Sequence, residues 1–91
     1  MGFKKIRGLN IPYNRQGLIY FTLRNYGQLD WHVRRHIDAL IAEAARGEAT
    51  RAEALRRWLI IGEIDAHGAA LAAYTAEATM YRARKWIYEH Y

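Results

Sequence analysis

The sequence predicts an all-α chain, a single small bundle of four to five helices, and three observations predict it. Apolar residues recur at three- and four-residue steps, through Val33, Ile37, Leu40, Ile41 and Ala44 and again through Met80, Ala83, Ile87 and Tyr91, which is the spacing of one helix face. Glycines stand between the periodic stretches at Gly27, Gly47, Gly62 and Gly68. Residues suited to opening a helix precede several of those stretches, Asp30 and Asp65 among them. The 91 residues are too few for two independent cores, and 52% hydrophobic content suffices for one.

The elements follow in order. Residues 1–14 form a basic N-terminal arm carrying Lys4, Lys5 and Arg7. Residues 15–62 form the helical core. Its first part, RQGLIYFTLRNYG, reads two ways: Ile19 to Leu23 has the composition of a strand, whereas Ile19, Leu23 and Tyr26 also fit a helix, and the helical neighbours tip the expectation to helix. DWHVRRHIDALIAEAARG is the clearest helix, capped by Asp30 and terminated by Gly47. The next helix is expected to start near Thr50, with the Thr50 hydroxyl as cap and Glu53 closing a capping box, and to end at Gly62. Residues 63–91 hold a short alanine-rich helix over 66–73 begun by Asp65, a turn around residues 74–76, and a last helix to about Glu89.

Composition narrows the function classes. No cysteine is present, so neither a disulfide framework nor a thiolate metal site is expected. No apolar run is long enough to cross a bilayer and no secretion signal is recognised, so a soluble, cytoplasmic protein without membrane partners is expected. The net charge of +5 points to a polyanion or an acidic protein surface as partner. The excess is concentrated early: residues 1–36 hold seven Lys and Arg against the single acid Asp30. Serine is absent too, and no glycine-rich loop that cradles phosphate follows a strand, so neither enzymatic activity nor a cofactor is expected. His32 and His36 share a helix face at the four-residue spacing of a metal pair, but Val33 stands where a zinc-protease glutamate would be; contact with phosphate or solvent is the expected role.

Two helices joined by a tight turn, the second with outward cations, follow the helix-turn-helix plan. Ala69, Ala70, Ala72 and Ala73 keep the first helix thin at the crossing, and Met80 anchors the second. The free face of the second helix offers Thr79, Tyr81, Arg82 and Lys85, which can reach phosphates or base edges. Lys4, Lys5 and Arg7 on the arm and the Arg34–Arg35 pair would add phosphate attraction. Each feature also has a plainer reading: a solvated surface helix, a solvated tail, and charges that keep the chain soluble. Trp58 and Trp86 read as core or rim packing before a stacking platform for single strands.

The stretches NIPYNRQGLIYFTLRNY and AAYTAEATMYRARKWIYEHY resemble small helix-turn-helix proteins of phages and integrative elements, of the sigma-factor C-terminal-region type. The resemblance implies a duplex-DNA-binding protein of a mobile element, serving transcription, excision or packaging. This chain departs from that pattern at Ala76, where a capping Ser is usual, so that Thr75 or Thr79 would substitute, and at Tyr74, which replaces a small turn residue. The rival expectation is a small protein that binds a recombinase, polymerase or nuclease, as an inhibitor or a recombination directionality factor. A homodimer pairing its last helices through Ile87 and Tyr91 is a third.

Overall fold

The computed structural model describes residues 3–91, and among them every regular element is helical. Five α-helices follow one another: α1 Tyr13–Arg24, α2 Trp31–Ala44, α3 Ala49–Leu55, α4 Ala66–Ala72 and α5 Glu77–His90. A 3-10 turn, Tyr26–Gln28, links α1 to α2, and a π-helical turn, Arg56–Ile61, continues α3. The radius of gyration, 12.3 Å, is that of a close-packed chain of this length.

The ambiguous Leu18–Leu23 segment is helical. Its period was blurred because α1 is apolar on more than one side: Ile19 and Leu23 are buried, while Leu18 and Phe21 face outward. In α2 the expected cap is present, the Asp30 carboxylate accepting from the amides of His32 and Val33 at 2.8 and 3.2 Å. Arg46 and Gly47, both at positive φ, then turn the chain out of α2. The start of α3 differs from expectation. Glu48 is its N-cap, no side chain caps it, and Thr50 already lies inside the helix. Once the left-handed pair Arg46–Gly47 has reversed the chain, Glu48 is the first residue able to enter the helix, two positions before Thr50.

The π-helical turn has no counterpart in the sequence pattern. The amide of Gly62 donates to the carbonyl of Arg57 at 2.9 Å, one residue wider than an α-helical bond, before Gly62 at φ 78° ends the element. The extra residue turns both Trp58 and Leu59 inward.

One core joins the helices. It takes Ile19 and Leu23 from α1, Ile37, Leu40 and Ile41 from α2, and Leu55 from α3. From α4 come Ala69 and Ala70, and from α5 Met80, Ala83, Ile87 and Tyr88. Each buried Ile or Leu contributes about 1.5–3 kcal/mol relative to exposure. α2 and α5 run antiparallel: His36 near the start of α2 meets Tyr91, whereas Ala44 at its end shares a depression with Thr79 and Ala83.

The stretch expected as a free arm is tied down. The Gln16 side chain is fully buried in α1; its Oε1 accepts from the amide of Ile6 at 2.8 Å and its Nε2 donates to the carbonyl of Ile11 at 2.9 Å. Leu9 enters the core between them, and the hydroxyl of Tyr13 donates to the carbonyl of Phe3.

Candidate nucleic-acid interface

α4 begins at Asp65, whose carboxylate accepts from the amide of Gly68 at 2.8 Å. Ala69 and Ala70 are buried, as close packing on α5 requires. Four residues then separate α4 from α5. The turn is closed by the amides of Tyr74 and Thr75, which donate to the carbonyls of Leu71 and Ala70 at 3.2 and 3.0 Å. Tyr74 sits at φ 54°, a left-handed conformation that costs a non-glycine residue about 1–2 kcal/mol. Its side chain is 91% exposed, so nothing it touches offsets that cost.

Ala76 is the N-cap of α5, and no side chain caps the helix, neither Thr75 nor Thr79. Glu77 in the first turn instead favours the helix dipole and lies 2.9 Å from Nδ1 of His67. Met80, Ala83 and Ile87 turn inward, as their spacing required. Ala78, Tyr81, Arg82, Lys85 and Glu89 are exposed. Arg82 makes one long hydrogen bond, its Nη2 donating to Thr79 Oγ1 at 3.3 Å. Neither Arg82 nor Lys85 forms an ion pair with a described residue. Ile87 is buried in the chain's own core, and Tyr91 packs edge-on against His36.

The N-terminal stretch runs beside this face. A depression of about 350 Å³ is lined by Arg7 and Leu9 on one side and by Tyr81, Arg82, Arg84 and Lys85 on the other, with no acid in its walls. The structure therefore brings Arg7, Arg82 and Lys85 together. Thr79 lies at the edge of a different hollow, shared with Arg82, Glu43, Arg46 and Arg51. Lys4 and Lys5 are exposed, and Lys4 borders a larger cavity on the α1 side.

Arg34 and Arg35 do not join the α5 face. They lie near the start of α2, toward Tyr91. Arg35 lies over the Trp31 ring at 4.8 Å, and Arg34 is half-buried with its charge acting on Asp38. Asp38 accepts from the Tyr26 hydroxyl at 2.7 Å and pairs with Arg56. Burial raises the Asp38 carboxyl, but the hydrogen bonds from Tyr26 and Arg56 and the charges of Arg56 and Arg34 outweigh it and hold the pKa below the ordinary value. Among the described residues no group of three His, Asp or Glu side chains is placed to hold a metal ion; His36 spends its Nε2 on the main-chain oxygen of Tyr91 at 3.1 Å.

Arg84 was not singled out by the sequence. Its guanidinium lies 5.0 Å from the Trp58 ring centre and 5.2 Å from that of Tyr81, and burial lowers its pKa. The signal was available: Arg84 is four residues from both Met80 and Tyr88, at the rim of the buried stripe. Among the described residues no helix is long and apolar enough to cross a membrane. Comparison with protein-family models, with curated proteins and with solved structures finds no match.

Proposed function

We propose that this chain binds duplex DNA through α4, the four-residue turn and α5 acting as a helix-turn-helix, with α5 in the major groove. The observation that carries the reading is the depression bordered by Arg82, Lys85 and Arg7, with no acid in its walls, beside a helix whose opposite side is locked into the core. Lys5, Arg34 and Arg35 add sequence-independent attraction from neighbouring surfaces, and Thr79 and Tyr81 meet phosphate or base edges. A role in transcription, excision or packaging within a mobile element belongs to the same reading. Binding to a mixed-sequence duplex, followed by fluorescence anisotropy over a salt series, tests it. Affinity should fall linearly on a log–log scale as counterions are released. Absence of binding at low salt would end it.

A second reading, a surface for a recombinase, polymerase or nuclease, draws on the apolar groups exposed around the turn. Leu71 is 64% and Tyr74 91% exposed, with Ile61 also outward. Substituting Leu71 and Tyr74 by Asp separates the two: a protein partner is lost on this view, and duplex binding on the first view is weakened only by the added negative charge.

A further inference from the structure

A cavity of about 640 Å³ opens between the N-terminal stretch, α1, the π-helical turn and α5. It lies on the other side of Arg84 from the duplex-facing depression. Three cations border it, Lys4, Arg24 and Arg84, and no acid does. The rest of its wall is largely aromatic. Phe3 and Tyr20 pack at 5.0 Å between centroids, and Trp58 and Tyr88 complete the aromatic lining.

Both arginines lie against aromatic rings of the wall. Arg24 lies 4.9 Å over the Tyr20 ring, and its guanidinium presses on Gly62 so closely that a Cβ there would collide with it. Arg84 is fixed against Trp58, in the π-helical turn, and its Nε is buried with no hydrogen-bond acceptor. It pairs with no described carboxylate. A guanidinium keeps its charge even where burial lowers its pKa, so Arg84 is a half-desolvated cation without an anion. Such a group is stabilised by whatever anion reaches it. Tyr88, its phenol pushed up to about 12 by burial, keeps its proton and with it a donor.

We infer that this cavity binds a single nucleoside monophosphate, the phosphate held by Arg84, Arg24 and Lys4 and the base lodged among Phe3, Tyr20 and Trp58. Three cations around one hollow call for a compact dianion, and flanking rings call for a flat aromatic body joined to it. The volume is that of a small-molecule site. A strand would instead require cations spaced along a track, and these three border a single hollow. The inference does not rest on the duplex reading, since Arg82 and Lys85 lie outside the cavity.

Isothermal titration calorimetry of the full chain with AMP, GMP, CMP and UMP, and separately with inorganic phosphate, tests it. At least one mononucleotide should bind saturably with one site, and inorganic phosphate at least tenfold more weakly. Arg84→Gln and Arg24→Gln should each weaken the mononucleotide at least tenfold, and Arg82→Ala should leave it unchanged; if Arg84→Gln melts early, Arg24→Gln decides. Silence with all four nucleotides, binding indifferent to both arginine changes, or phosphate binding as tightly as the nucleotides would each overturn the assignment. So would a short single strand that binds more tightly than any mononucleotide in an Arg84-dependent manner.

Discussion

Replacing Arg82 and Lys85 together by alanine isolates the charge on the α5 face from the fold that presents it. Both side chains are exposed and form no ion pair with a described residue, and Arg82 loses only a long bond to Thr79. Folding stability should therefore stay within about 0.5 kcal/mol of the parent, the usual range for such surface changes. Duplex binding should change far more. Each neutralised phosphate contributes roughly −0.9 to the slope of log affinity against log salt, so the double variant should lower the slope by about 1.8. Referred to 1 M salt, that difference weakens binding about sixtyfold at 0.1 M, or roughly 2.4 kcal/mol. Anisotropy of a labelled duplex across a salt series reads both quantities, and a thermal melt by circular dichroism reads the fold. A well-folded double variant with an unchanged slope would refute the reasoning, because the cations would then touch no phosphate. A large loss of stability would refute its structural half.

Three further outcomes follow from the geometry. Tyr74→Gly should raise the melting midpoint by several degrees, since it relieves about 1 kcal/mol of left-handed strain at a side chain that packs on nothing, and a lower midpoint in calorimetry would contradict this. The Asp38 carboxyl titrates lower in the folded chain than in the unfolded one, so its contribution is present above the unfolded pKa near 4 and is lost as pH falls through the folded pKa; acid titration of the melting temperature should show Asp38→Asn converging on the parent at the acid end and falling below it near neutrality. Ile87→Ala, at a fully buried site between the core helices, should cost about 2–5 kcal/mol in urea unfolding, and a loss under 1 kcal/mol would show that α5 is not locked by that face.

The legible parts of this chain were those where one helix face carries one kind of residue. α2 and α5 read cleanly because their apolar positions repeat at helical spacing and their outward positions are charged. Asp30 and Asp65 announced their helices because a short carboxylate can reach back to the amides it precedes. Thr50 misled for the same reason in reverse: its chemistry suits a cap, but the site of the cap was decided by where Arg46 and Gly47 reversed the chain. The π-helical turn leaves no local trace, since widening one hydrogen bond serves the packing of Trp58 and Leu59 against distant helices. The Arg84 site was hidden similarly. Arg24, Trp58 and Arg84 are far apart in sequence, and only the fold puts two stacked cations around one hollow.

The buried amide of Gln16 is where the N-terminal stretch hangs from α1, gripped on both sides of Leu9. Ile6, whose amide it grips, borders both the depression beside Lys85 and the hollow beside Arg24. A partition common to two chambers cannot shift for one occupant and stay still for the other. An occupant that displaces Ile6 from one chamber would thus be felt in its neighbour, and by the symmetry of linked equilibria each occupant would then alter the other's affinity by the same factor.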